Sequence, residues 1–580
     1  MDKRVLLTVA VCMGILFVWT KFFMPTPPKD QAAQSAVPTT TPPTTGVAAA
    51  PAIAPAAVPT APRKPGEPAL EAPPETKKPE PVAVARPAEI KDRVEHAGLY
   101  RAEFSTWGAA PTSWTLLNPQ FKETVALPDG KKEVEPIDLV RTQGAQLPFS
   151  TTFPQSDFVL PPDAAWSRLP TTGDELAYAW ENEQVKIEKH FVLVPLTYQL
   201  NLKVTIENKS DKPLHEHLQV VMAGRQDPNV KPGGMFSQRY IQTEGECNLN
   251  GKLKHSDLQS LLKKPVDETG LVRWIGIDEK YFVSAIAAPP AVDPNEQRRC
   301  WVNATSEGII LSNWLSAERK IEPKAKAEYE FAGYLGPKFL HMLDAVTVGG
   351  VDAKLGDAVN YGWTEAIARP MLAVLKAVHM AVPNWGIAII VLTILLKAIT
   401  WWPTTKSMKS MREMAKCKPE IDKLKAKFGE DKQKFNVAVM ALYKERGISP
   451  LGGCLPMLIQ MPIYIALYSM LGNSVELYRS SFVGWIHDLT APDPFYVLPV
   501  LTGALMFAQQ RFSPTPPDAQ QKAMMYMMPV MFTAFSIFLP SGLTVYILTN
   551  TMLTMAQQLY LNRGDGPVGR AAPAGKPAKA

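Results

Sequence analysis

The chain is poor in the residues that build metal and redox chemistry. Five cysteines (Cys12, Cys247, Cys300, Cys417, Cys454) are scattered over 580 residues with no Cys-x-x-Cys pair, so neither a zinc site nor a disulfide framework is expected. Cys247 and Cys300 could pair if their segment lies outside the cytoplasm, but sequence gives neither distance nor geometry. The eight histidines are dispersed, and His215 and His217, in a charged strand-like stretch, read as surface residues. No P-loop is present, so no nucleotide-driven step is expected. The middle of the chain lacks a carboxylate pair suited to glycoside chemistry. A net charge of +6 is too modest to mark a nucleic-acid binder, and DNA is not expected as a partner. No cofactor is implied and no catalytic residue is assigned; the chain does not read as an enzyme.

Charge itself is missing from long runs in the last third. Asn384 to Trp402 carries one charge, Lys397, while Gly447 to Asn473, Phe495 to Gln510 and Ala523 to Asn562 carry none. The last run is too long for one crossing and is broken by Pro540-Ser541-Gly542, a turn signal, so it divides into two helices over about 523–539 and 542–562. A further apolar run follows Lys3 and Arg4 and ends at Met24 without a small-residue cleavage site, which reads as an uncleaved transmembrane anchor over 1–24. The fold class expected is therefore an α-helical polytopic membrane protein with six transmembrane helices. Lysine and arginine crowd the 404–448 connection, whereas 473–494 holds only Arg479. Positive residues favour the cytoplasm, so the first connection is placed inside, the second outside, and both termini in the cytoplasm.

The remaining segments fall into place around these spans. Residues 25–88 are mixtures of proline, alanine and threonine with few large apolar groups, a semi-extended linker. Residues 89–345 carry period-two runs such as Val185 to Leu193 and Tyr198 to Ile206, which predict antiparallel strands and a β-sandwich domain. Within 362–382, Met371, Val374, Leu375, Val378 and Val382 share one helix face, read as an amphipathic helix lying in the membrane interface. A five-helix core is expected over 383–562, with a cytoplasmic helical hairpin over 404–448 whose return face is Val437, Met440 and Ala441. The tail covers 563–580.

Lys397 is the most informative residue. Thr393, Lys397, Thr400 and Thr404 share one helix face, and a charge at membrane depth costs roughly 2.5–3.5 kcal/mol on the insertion scale, so it usually faces a bundle interior or a watery cavity. Snorkelling to the headgroups is the alternative, but it runs against the tilt of helix side chains toward the N-terminus. Gln460, Tyr464 and Tyr468, and Tyr546, Asn550 and Thr554 with Gln557 beyond, offer polar groups either for the same cavity or for interhelical hydrogen bonds. Methionines concentrate in the third and fifth spans, where Met461, Met525, Met528 and Met531, with Phe538, suit varied apolar partners. Spans of about 17 residues rise only about 25 Å, which makes local bilayer thinning plausible. A transporter is the main rival, though no inverted repeat and no acidic partner for Lys397 is visible in the spans. A tethered carbohydrate enzyme is the second.

Several motifs resemble one family. Asn384-Trp385-Gly386, Lys397 ahead of Pro403, Asp431-Lys432-Gln433, Leu442-Tyr443-Lys444, Ser449-Pro450-Leu451-Gly452-Gly453-Cys454, Pro456 through Gln460-Met461-Pro462, Trp485-Ile486-His487-Asp488-Leu489, Asp493-Pro494 and Pro540-Ser541-Gly542-Leu543 are similar to the YidC/Oxa/Alb membrane protein insertases. The anchor, linker and β domain resemble the Gram-negative branch in architecture. The resemblance implies a bacterial inner-membrane insertase and chaperone with a large periplasmic domain, acting alone or with the Sec translocon on nascent membrane proteins within the phospholipid bilayer. It implies a positively charged substrate groove at Lys397, Thr393, Thr400, Gln460, Tyr464, Tyr546 and Asn550, beside a hydrophobic slide of Met461, Met525, Met528, Met531 and Phe538. The ribosome is an implied partner too, although the short tail holds few basic residues. Where many family members carry arginine, Lys397 keeps the charge and loses the planar fork.

Overall fold

The computed structural model describes residues 88–126, 132–144, 146–162, 164–229, 242–291, 293, 296–428, 431–448, 455–512 and 519–564. The anchor over 1–24, nearly all of the linker, the Gly429-Glu430 turn, the Ser449–Cys454 motif and the tail from 565 lie outside the described residues.

Among the described residues two large antiparallel sheets dominate the β domain, beside a three-stranded sheet of Lys91–His96, Tyr100–Ser105 and Ala110–Leu116 and three two-stranded ones. The larger has nine strands in the order Lys252–Asp257, Glu244–Leu249, Val272–Asp278, Phe282–Ala287, Lys326–Pro337, Gln199–Asn208, Val185–Leu193, Glu175–Glu181 and Ser167–Leu169. The smaller runs Val266–Gly270, Arg298–Ala304, Ile309–Leu315, Gln219–Arg225 and Ser150–Thr152. Close approach of the sheets needs glycine: a Cβ at Gly245 would meet Val302 Cγ1 at 2.4 Å, and one at Gly224 would meet Ile277 Cγ2 at 2.4 Å. Cys247 and Cys300, both buried, form a disulfide that ties one sheet to the other. The sequence had left that pairing open.

Alternation along Val185–Leu193 puts Val185, Ile187, Phe191 and Leu193 inward, and Lys189 with them. Its amine donates to the carbonyls of Ala109 at 2.6 Å and Phe149 at 2.8 Å. Burial pushes this lysine down to about 7. His215 and His217 lie at the surface near Asp157 and Glu318, and no cluster of metal-ligand residues occurs among the described residues.

Among the described residues eight α-helices follow: α1 (Glu365–Ala381), α2 (Trp385–Lys416), α3 (Lys418–Phe428), α4 (Lys432–Glu445), α5 (Leu455–Asn473), α6 (Val497–Gln510), α7 (Ala519–Ser536) and α8 (Ser541–Gly564). Among the described residues one helix, α2, is long and apolar enough to cross a membrane; α6 and the Met525–Ser536 part of α7 are apolar but shorter. The structure thus carries a helical membrane region with a β-rich domain, without counting six spans.

Amphipathic α1 buries Ala368, Met371, Leu372 and Leu375 against α2 and α5 and exposes Ile367 and Met380; Val382, expected on the apolar face, lies just past the helix end and is exposed. Helix α2 passes through Pro403 without a break and continues to Lys416, so the first arm of the 404–448 segment is an extension of the span, and the hairpin proper is α3 and α4. Its small core is Cys417, Ile421 and Tyr443 with Phe435, Val439 and Leu442. Val437 and Met440, expected on the return face, are exposed. Tyr443 and Phe435 bring more apolar area than Met440 and Ala441, and they set the rotation of the helix.

Candidate functional site

The site is built from three helices. Asn384 starts α2 by accepting the Ile387 N–H at 3.1 Å, an N-cap that satisfies one orphan donor of the first turn. From that start the helical repeat places Thr393, Lys397, Thr400, Thr404, Ser407 and Arg412 on one buried stripe. The threonine hydroxyls donate back along the helix, Thr393 to Ile389 O at 2.7 Å, Thr400 to Leu396 O at 2.9 Å and Thr404 to Thr400 O at 2.7 Å. Their lone pairs remain for partners on other helices.

Helix α8 supplies those partners from a stripe of its own. Lys397 Nζ donates to Thr554 Oγ1 at 2.8 Å. Gln557 Nε2 donates to Thr404 Oγ1 at 3.1 Å and Thr405 Oγ1 at 2.8 Å. One turn on, Arg412 donates to the Leu561 carbonyl at 3.0 Å and to Asn562, satisfying the C-terminal end of α8 where a cation is favoured. Partners advance together along both helices, so α2 and α8 run parallel. On α5, Gln460 donates to the Tyr546 hydroxyl at 2.6 Å. Asn550 Nδ2 lies 3.5 Å from the Tyr464 hydroxyl, and the Tyr464 and Tyr546 rings meet edge to face at 5.6 Å.

The structure therefore joins Lys397, Gln460, Tyr464, Tyr546 and Asn550 through hydrogen bonds centred on α8. Thr400 lies on the same stripe and Thr393 is packed inside it, each spending its hydroxyl on its own helix. Lys397 is 8% exposed, and no carboxylate stands within ion-pair distance of its amine among the described residues. A cation so placed, with the Thr554 hydroxyl as its side-chain partner, attracts any negative group that reaches it. Of the apolar residues, Met528, Met531 and Phe538 are exposed, as are Met527 and Val530 beside them, while Met461 and Met525 are half-buried.

Sequence reasoning did not find the buried carboxylate at the start of α6. Asp493, 1% exposed, accepts from the Leu498 N–H at 2.7 Å, the Phe495 N–H at 3.0 Å and Trp485 Nε1 at 3.0 Å. Asp493-Pro494 stood among the family motifs, and Asp493 lies four residues ahead of α6, at the N-terminal side where a carboxylate is favoured.

Known proteins resemble the chain over most of its length. The family model described as 60Kd inner membrane protein matches residues 377–566, and that of the YidC periplasmic domain matches residues 96–374. A membrane protein insertase YidC from Geobacter sp. (strain M21) is 34% identical over 487 residues, 82% of this chain and 86% of that relative. One from Syntrophus aciditrophicus (strain SB) is 31% identical over 586 residues, 97% of this chain and 100% of that relative. A solved YidC insertase with its first transmembrane domain resolved covers 81% of this chain and 92% of that structure at 17% identity, with a TM-score of 0.35. Two family models laid end to end, and relatives matched nearly from one terminus to the other, leave one assignment: the chain belongs to the YidC family of membrane protein insertases, non-enzymatic proteins of bacterial membranes that carry a periplasmic domain.

Proposed function

We propose that the chain inserts its clients through a hydrophilic groove centred on Lys397. The hydrophilic, acidic flank of a nascent membrane protein is drawn to the Lys397 ammonium and exchanges hydrogen bonds with Thr554, Asn550, Tyr546 and Gln460, while its apolar span slides over Met528, Met531 and Phe538. The observation that carries this reading is the buried Lys397 amine with a threonine hydroxyl for company and no acidic partner among the described residues. A structural lysine at membrane depth would be held by a carboxylate, since an uncompensated charge there is costly. The exposed methionines of α7 support the slide, because flexible thioethers adapt to varied apolar surfaces.

The same reading takes the protein as six crossings with both termini in the cytoplasm, the groove open to cytoplasm and lipid, and the Sec translocon and ribosome as partners for some clients. The parallel course of α2 and α8 and the positive charge of the α3–α4 hairpin support that orientation. A client stalled during insertion and carrying an acidic outer tail tests the groove. Photoreactive probes at Asn550 and Thr554 should cross-link to the tail, and a probe at Ile399, 75% exposed on the opposite face of α2, should not. Equal yields at all three positions would remove the groove.

A further inference from the structure

The β domain is bonded to residues 474–496, the segment that joins α5 to α6. This segment is itself the cap over one end of the bundle. Asn384 Nδ2, at the start of α2, donates to Phe482 O at 2.9 Å, and the Phe482 ring fills the space beside Gly386, where a Cβ would lie 1.9 Å away. Ser541 N–H and Gly542 N–H, at the start of α8, donate to Ala491 O at 2.7 Å and Leu489 O at 2.9 Å. Asp493 caps α6. Three helix starts thus hang from one segment, and nothing in the segment is regular helix or strand beyond the single turn Val475–Leu477.

The segment is also bonded to α1, through Lys376 and Glu476 at 2.5 Å, and to the β domain. Gln120 Nε2 donates to Tyr478 O, and lies 3.3 Å from Glu476 O and from Ser480 Oγ. Tyr478 returns a hydrogen bond from its hydroxyl to Lys122 O at 2.8 Å. Its ring, 8% exposed, sits among Phe121, Tyr281 and Phe282 at centroid distances of 6.4, 4.9 and 5.6 Å. Arg479, held at φ +49°, reaches Thr124 Oγ1 at 2.9 Å. A non-glycine residue in that conformation persists only where its surroundings fix it.

We infer that the β domain is a brace whose socket, Gln120 to Thr124 with Tyr281 and Phe282, grips Tyr478 and Arg479 and so keeps the 474–496 cap shut over the periplasmic end of the helices. The inference rests on the groove reading, in which that end is closed. The brace supplies a seal against small ions while the opposite end admits clients. It makes no contact with the client, and it acts through the cap alone.

The test uses the full chain in proteoliposomes, with dye-reported proton leak, trypsin cleavage after Arg479 and client insertion measured on the same preparation. Gln120→Ala combined with Tyr478→Ala should raise the leak several-fold and expose the Arg479 bond, with insertion within twofold of wild type. A short bis-maleimide bridge between Thr124→Cys and Arg479→Cys, made in that variant, should restore the seal and leave insertion intact, which separates loosening of the cap from misfolding. A leak and cleavage pattern unchanged from wild type would overturn the brace, as would loss of insertion on bridging, since the cap would then have to open. Failure of wild type to insert at all would instead overturn the groove.

Discussion

A lysine inside a protein needs acceptors: among the described residues Lys338 is buried against Asp278, while Lys189 and Lys397 are buried without a carboxylate, in different surroundings. Lys189 has the carbonyls of Ala109 and Phe149, with the Trp166 and Phe191 rings at 5.6 and 5.3 Å. Burial holds it at about 7 against an ordinary 10.5. Between those values the unfolded chain binds the extra proton, so the stability of the β domain should rise with pH over that window, at up to about 1.4 kcal/mol per pH unit. Below about 7 both states are protonated and the contribution is flat, with the burial cost fully present. Hydrogen exchange of the Val185–Leu193 strand, compared between wild type and Lys189→Met from pH 7 to 9, checks this. The wild-type strand should gain protection relative to the variant as pH rises; parallel profiles would contradict it. Lys397 is the other case: its amine donates to the Thr554 hydroxyl, and under the proposed function it is the group that meets an incoming anion. Lys397 stood out in the sequence because one charge in an apolar run is conspicuous. Lys189 was hidden by the habit of reading an alternating strand as apolar inside and polar outside, although its even spacing from Ile187 and Phe191 already placed it in the inward phase.

Among the elements, helix starts carry the order of the membrane region. Asp493 satisfies two backbone donors ahead of and within α6 and fixes the Trp485 indole. Replacing an N-terminal capping carboxylate by alanine costs roughly 0.5–2 kcal/mol. Asp493→Ala should therefore speed hydrogen exchange at Leu498 by about tenfold, the equivalent of about 1.4 kcal/mol, while Asp493→Asn, which keeps one acceptor, should lie between. Exchange equal to wild type in both variants would show that the cap is idle. The break between α7 and α8 at Pro540-Ser541-Gly542 was legible because proline and glycine punctuate a chain locally. The end of α2 was not: Pro403 suggests a stop, yet the helix runs on to Lys416. The buried stripe from Thr404 to Arg412 is bonded to α8, and those tertiary bonds outweigh a local kinking tendency. The face of α4 was likewise decided by which residues met α3, which periodicity alone does not choose.

In the whole molecule the division of labour follows chemistry. A β-sandwich cross-linked by Cys247 and Cys300 suits the oxidising periplasm, and the helical region gathers its polar groups onto facing stripes of α2, α5 and α8. Period-two runs, charge-free runs and the basic connection made this layout readable, since each reports solvent on one side of an element. The seam between β domain and cap was not readable, because Gln120 and Tyr478 are more than 350 residues apart and neither is unusual in its own neighbourhood. The central claim is that Lys397 draws an acidic flank into the bundle. Cell-free insertion of a short single-span protein with an acidic outer tail, into liposomes holding the purified chain, tests it most directly. Wild type should insert well above empty liposomes, Lys397→Arg should stay within a few-fold, and Lys397→Ala and Lys397→Glu should fall about tenfold or more, the loss expected for one charge-assisted contact of roughly 1.5–3 kcal/mol. Full insertion by the alanine and glutamate variants, with the fold intact, would contradict the account and remove Lys397 from the mechanism.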